Sequence, residues 1–526
     1  MNNKTTVYLS FSIIVFGCCL LFTLKTDTLS AQIQADETIV FLPAELGIGK
    51  ASVPGNAPID ASQGLDYRYQ YLAGGAGNSG SWPNWNANGD FPKFYIEDSI
   101  DNDVIPVFSY YMICQATDRC YWDEVGAIQE HLSNNGIMSS YWRELSLFFE
   151  KAAQFPDHPI ILHMEPDLWG FLHQASSDDN VGTYGGYVAV NNVGIEAISN
   201  LPNTPAGFAA AIFALREAAG ANNVLIGYHV SAWGVGDDFV FSNPSASEMV
   251  VQGDRAVAFY QSFNQEFDLI FSETSDRDAG YYQSIGFSDP YWSTQDYDNH
   301  ITLLSRINEL TEKDILIWQI PFGNTLYKAM NNTAYHYQDN AVETFLGESG
   351  YATLDRYRQA GVIALLFGQG AGGGITTCPC DDAGDGITNP SPISGNNLDS
   401  LSADDDGGYF DKVLADYVAS GKLAIRFRAV RETAVNAIRL NWNDVGADQY
   451  EVWRSSSAVV NYFGACAAAE NCEIVTGTSY ERVMTDGLER EYFIVVPVTN
   501  GVKDDPSETF VVERLEAALF FPLVFD

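Results

Sequence analysis

Positive charge is what this chain has least of. Its 526 residues hold 27 Lys and Arg against 68 Asp and Glu, a formal net charge of −41. Phosphate recognition needs clustered Lys and Arg. No basic patch interleaved with aromatics occurs, so nucleic acid is excluded as a partner and a bare anionic membrane surface is disfavoured. Several catalytic signatures are missing as well. There is no G-x-S-x-G elbow for a serine hydrolase and no HExxH pair for a zinc protease. The Gly370–Gly374 run GAGGG lacks the Lys-Ser/Thr that a phosphate loop requires. After residue 24 no second apolar run is long enough to span a bilayer, so the remainder is expected to be soluble.

What is present suits a globular protein of more than one domain. Hydrophobic residues make up 46% and charged residues 18%, ample for a core and unlike a disordered polyampholyte. The acidity reads as solubility outside the cell. Lys4 and the apolar run Val7–Leu24, followed by Leu29-Ser30-Ala31, form a signal-peptide pattern over residues 1–31. An uncleaved anchor is the alternative. Of eight cysteines, Cys18 and Cys19 fall inside this segment. The other six are paired in sequence as Cys114/Cys120, Cys378/Cys380 and Cys466/Cys472. An even count in an exported chain reads as disulfides. Cys114–Cys120 and Cys466–Cys472 would close short loops, whereas Cys378-Pro379-Cys380 is too tight for an easy bridge. Zinc is the rival for these cysteines, without a His at ligand spacing.

Residues 32–62 read as a polar linker. Over 63–422, short, β-branched, continuously apolar runs alternate with amphipathic segments. The runs are Tyr67–Leu72, Val104–Tyr111, Ile160–Glu165, Val224–Val230, Leu269–Glu273, Ile315–Ile320 and Val362–Phe367. Buried parallel strands look like this, and the alternation predicts an α/β fold of the TIM (β/α)7-8 barrel type, with its site at the C-terminal strand ends. Seven strands are visible. Thr376–Gly408 is a long Asp/Gly/Asn/Pro-rich loop, with a final helix expected at Asp411–Ser420.

The tail changes period. Leu440-Asn441-Trp442, Tyr450-Glu451-Val452-Trp453-Arg454, Thr478-Ser479-Tyr480, Gly487-Leu488 and Tyr492–Val498 alternate in period two. This set resembles a fibronectin type III domain over 423–513. The resemblance implies a small all-β spacer or docking module, attaching the protein to a cell surface or extracellular matrix. The apolar end 514–526 reads as a last strand or a surface-retention tag.

Chemistry is expected at the strand ends. In Ile160–Trp169 a buried strand delivers Glu165, then Pro166 ends it. A partly buried carboxyl has a raised pKa, as a general acid needs. Glu165-Pro166 resembles the acid/base Asn-Glu-Pro strand of the largest clan of retaining barrel glycoside hydrolases, with Met164 at the Asn position. The resemblance implies a glycosidase with Glu165 as acid/base. Glu273 or Asp276, at the end of another strand, is its candidate partner. Substrate contacts are expected from Tyr110, Tyr111, His163, Asp167, Trp169, His229, Trp233, Trp318, Gln319 and Asn324, since aromatic faces stack on pyranose rings and polar groups reach hydroxyls. The expected partner is a carbohydrate and the expected state a monomer, secreted or at the cell surface. No cofactor and no catalytic metal is expected. The Asp-Gly stretches Asp381–Gly386 and Asp404–Gly408 are candidate structural calcium ligands. Two other readings stand beside this one. A degenerate barrel would only bind carbohydrate, and a metal-dependent hydrolase would use His163, His229 and His336.

Overall fold

The computed structural model describes residues 42–52 except 44, and 63–368 except 237, 275–277, 327–329, 331 and 333–336. It also describes 409–425 and, within 429–513, the strands with their immediate flanks. The expected signal segment, the pair Cys378/Cys380, Asp276, His336, both Asp-Gly stretches and the apolar end lie outside the described residues.

Eight parallel strands close a barrel in sequence order. They are β1 Gly47–Ala51, β2 Tyr67–Leu72, β3 Ile105–Tyr110, β4 Ile160–Met164, β5 Val224–Val230, β6 Leu269–Glu273, β7 Asp314–Pro321 and β8 Val362–Gly368. Seven of these are the expected runs. The eighth, β1, lies inside the stretch read as linker, so the barrel begins before residue 63. It pairs with both β2 and β8 and thereby closes the ring. Its sequence, GIGKA, carries little apolar signal because two positions must be glycine. A Cβ at Gly49 would meet Leu366 Cδ2 at 2.4 Å and Tyr67 Cβ at 2.8 Å. The two ends of the barrel domain meet where Leu46 N–H donates to the Leu423 carbonyl at 2.7 Å.

The helices that bear on the site are α1 Phe91–Asp101, α2 Glu124–Ser133, α3 Asn135–Ala152 and α4 Pro166–Gln174. In α3 the Asn134 side chain caps the first amides, and Met138, Tyr141, Trp142, Leu145, Phe148, Phe149 and Ala152 form one buried stripe. That stripe packs on the outer face of β3, with Phe148 against Phe108 and Tyr141 against Tyr110. The lumen side carries an aromatic and imidazole layer. His163 stacks on Phe271 at 4.0 Å and meets Trp318 edge-on at 4.8 Å. Gly227 is the small residue beside it, because a Cβ there would lie 2.3 Å from the Phe271 ring.

Among the described residues after 425, the strands form two antiparallel sheets. Leu440, Trp442 and Tyr480 from one sheet share a core with Tyr450, Val452, Phe493 and Val495 from the other. Disulfides join Cys114 to Cys120 and Cys466 to Cys472. No helix among the described residues is long and apolar enough to cross a membrane.

Candidate active site

A two-lobed cleft opens at the C-terminal ends of the strands, where barrel sites lie. One lobe, of about 390 Å³, is lined by Tyr71, Tyr111, Glu124, Pro166, Phe171, Trp318 and Gln319. The other, of about 250 Å³, is lined by residues that include Asp238, Phe241, Thr274, Tyr282 and Trp292. Asp167, Trp233 and Glu273 line both lobes.

Glu273 reaches the cleft by strand parity. β6 remains extended through Glu273, which pairs with Trp318 of β7. Phe271 faces the lumen, so Glu273, two residues on, faces its mouth. Beneath it runs a buried polar chain. His229 Nε2 lies 3.9 Å from Glu273 Oε1, His229 Nδ1 is 2.9 Å from His163 Nε2, and His163 Nδ1 is 3.3 Å from Ser109 Oγ. Burial, and then the neighbouring His229, hold His163 well below the ordinary imidazole range, so it is neutral. A neutral imidazole donates from one ring nitrogen and accepts at the other, so His163 links Ser109 to His229. The buried His229 Nε2 makes no hydrogen bond and stands across 3.9 Å from the Glu273 carboxylate.

Glu165 lies elsewhere. It adopts φ 40°, a left-handed conformation, immediately before Pro166 opens α4. The reversal breaks the parity that would have put it in the lumen above His163. Its carboxyl turns outward and accepts from the amides of Met112 at 3.0 Å and Ile113 at 3.4 Å. Burial pushes it up to about 8, opposed by those amides and by the Tyr141 hydroxyl. It is absent from the linings of both lobes. The carboxylate that this turn presents to the cleft is Asp167, in the first turn of α4.

The other expected contacts divide the same way. Tyr111, Asp167, Trp233, Trp318 and Gln319 line the cleft. His163 and His229 lie below it, inside the barrel. Tyr110 and Trp169 belong to the packing between barrel and helices. Tyr110 meets Tyr141 edge-on, and Trp169 donates to the Met164 carbonyl at 2.7 Å among Tyr228, Phe263 and Phe267. Asn324 is fully buried and accepts from its own loop at Leu326 N. Gln319 sits at φ 56° within a register shift between β7 and β8, one of the strained backbones that gather at functional sites.

Sequence reading missed Glu124, Tyr71, Phe171, Asp238 and Trp292. Glu124 accepts from Tyr111 Oη at 2.8 Å. Burial, then the charges of Asp167 and Glu124, hold the Tyr111 hydroxyl far above its ordinary range, so it remains a donor. The one available signal for Glu124 was its place just after the Cys114/Cys120 pair. Among the described residues, two groups have metal-ligand spacing, Cys114/Cys120/Glu124 and Glu451/Cys466/Cys472. In both, the sulfurs are tied up in disulfides.

No protein-family model and no curated protein matches the chain. Among solved structures it is similar to a family 53 glycoside hydrolase catalytic domain from Ignisphaera aggregans, with 12% identity over 71% of this chain and 96% of that one, TM-score 0.38. A family 26 β-mannanase from Bacteroides ovatus matches with 11% identity over 62% and 81%, TM-score 0.30. An Fn3-like protein from Clostridium thermocellum matches with 26% identity over 16% and 84%, TM-score 0.12. At these scores none of the three bears on chemistry, which is read from the site's own groups.

Proposed function

We propose that this chain is an exported glycoside hydrolase acting through Asp167 and Glu273. The observation that carries the reading is that these two carboxylates, delivered from the start of α4 and the end of β6, both line the two lobes of one cleft. A carboxylate pair across a cleft is the minimal machinery for glycoside cleavage. Glu273, at the end of β6 above His229, is read as the base or nucleophile, and Asp167 as the acid. Tyr71, Tyr111, Trp233, Trp318 and Gln319 provide faces and polar groups for sugar rings. Export rests on the N-terminal signal pattern and agrees with the two disulfides. The C-terminal all-β unit is read as a fibronectin type III-like spacer or attachment module.

The test is a screen of poly- and oligosaccharides with the full chain, repeated with Asp167→Asn and Glu273→Gln. Cleavage by the wild type that both variants abolish is the expected result. Product stereochemistry then reports the pair's spacing: about 5–5.5 Å gives retention and about 6.5–9.5 Å inversion. Binding without cleavage would make the protein a carbohydrate-binding barrel. Activity that persists in both variants would defeat the assignment.

A further inference from the structure

Tyr121 and Trp122 are 81% and 74% exposed, the two most exposed large apolar side chains among the described residues. Such rings are costly to display in water, yet the loop that presents them is braced. Cys114 and Cys120 are bridged. The Thr117 side chain caps the turn that follows. Arg119 Nε donates to Asp123 at 3.0 Å and its Nη1 to Glu130 at 2.6 Å. The guanidinium lies 5.9 Å from the centre of the Trp122 ring.

This loop borders the cleft. A Glu124 carboxylate oxygen and both bridged sulfurs lie within 4.8 Å of one another, and Glu124 lines the first lobe. At the second lobe the lining includes Phe241, which is 61% exposed. An exposed aromatic thus lines the second lobe, the braced loop of Tyr121 and Trp122 runs directly into Glu124 at the first, and Asp167 and Glu273 line both lobes. The charge of the lining restricts the occupant. Its described residues include Glu124, Asp167, Asp238 and Glu273, and no Lys or Arg. A polyanion would be repelled, whereas an uncharged pyranose offers C–H faces to aromatic rings.

We propose that Tyr121 and Trp122 form an outlying subsite for an uncharged polysaccharide that runs through both lobes, so that cleavage falls within the chain. This rests on the glycosidase reading above. The test uses the full-length protein, the double variant Tyr121→Ala/Trp122→Ala and the single variant Trp122→Phe. Probes are soluble β-glucan, galactomannan and glycol chitin, with polygalacturonate as the charged control. Gel retardation by embedded polymer reads binding. Hydrolysis of the retarding polymer is compared with that of its own trisaccharide. The expected result is retardation of the wild type by a neutral polymer and not by polygalacturonate. Binding should be about 5- to 10-fold weaker in the double variant and largely restored in Trp122→Phe. The loss of kcat/KM on polymer should exceed the loss on trisaccharide by a similar factor, and mid-length products should appear first.

Equal losses on polymer and trisaccharide, unchanged polymer binding, or end-wise release of small sugars would overturn the proposal while leaving the glycosidase reading intact. Retardation without cleavage would defeat that reading and leave the platform standing. Neither binding nor cleavage would defeat both.

Discussion

Strands β4 and β6 look alike in sequence and end differently in space. Each is a short apolar run closing on a glutamate, Glu165 in one and Glu273 in the other. Each has an aromatic or imidazole residue facing the lumen two positions earlier, His163 and Phe271. In β6 the chain stays extended, parity holds, and Glu273 enters the cleft. In β4 the backbone reverses at Glu165 to φ 40°, and its carboxyl turns away to two loop amides. The left-handed turn costs on the order of 1–3 kcal/mol. Its local return is the pair of hydrogen bonds to Met112 and Ile113, which anchor the loop after β3. Its effect on the site is to place Asp167 in the cleft. Carboxylate identity at a strand end is thus a weaker guide than the one dihedral that decides which way the side chain faces.

Substitutions at the two ends separate them most sharply. Glu273→Gln and Asp167→Asn are expected to lower kcat/KM by about 10²–10⁴-fold, measured on whichever glycan the screen identifies. Glu165→Gln should leave it within a few fold. The His229 contact is the next discriminator. His229→Asn removes the imidazole that stands 3.9 Å from the Glu273 carboxylate. It should cost about 10-fold in kcat/KM. An unchanged kcat/KM would show that His229 does not act on Glu273.

Stability against pH separates the ends by another route. Glu165 is pushed up to about 8 in the fold from an ordinary value near 4.5, so the folded state holds a proton that the unfolded chain releases. Its stabilising contribution is complete below about pH 4.5 and is lost as pH rises through about 8. Glu144 and Asp339, each pushed up to about 7 mainly by burial, act in the same direction. Buried His163 and His300, held low by burial, act the other way up to about pH 6.5, so the melting temperature should fall between about pH 6.5 and 8, and Glu165→Gln should flatten that fall. A fall just as steep in the variant would assign it to other groups. The smallest effect expected is at Gly170, where a Cβ would meet the Trp233 ring at 2.6 Å. Gly170→Ala should cost about 1–3 kcal/mol in denaturant unfolding and displace a cleft wall.

The barrel was legible because buried parallel strands are continuous apolar runs. The ranges 67–72, 224–230 and 269–273 match at both ends. Strand β1 escaped because close packing on Tyr67 and Leu366 demands glycine where apolar residues would have marked a strand. Of the expected site residues, Glu273, Trp233 and Trp318 line the cleft, as their places at strand ends imply. Glu165 was placed by parity, which a single left-handed residue undoes, and no composition or period reports such a residue. Trp169 and Tyr110 were read as sugar contacts because an aromatic at a strand end has no mark for which layer it faces. Glu124 comes to the cleft on a helix start steadied by a disulfide loop, where strand periodicity says nothing.

The central claim is that the chemistry sits on β6 and the start of α4, not on the end of β4. It is tested most directly by measuring kcat/KM for Glu165→Gln and Glu273→Gln side by side, on the same glycan at the same pH. The predicted ratio of the first to the second is about 10² or more. A ratio near or below one would contradict the account and return the catalytic role to Glu165.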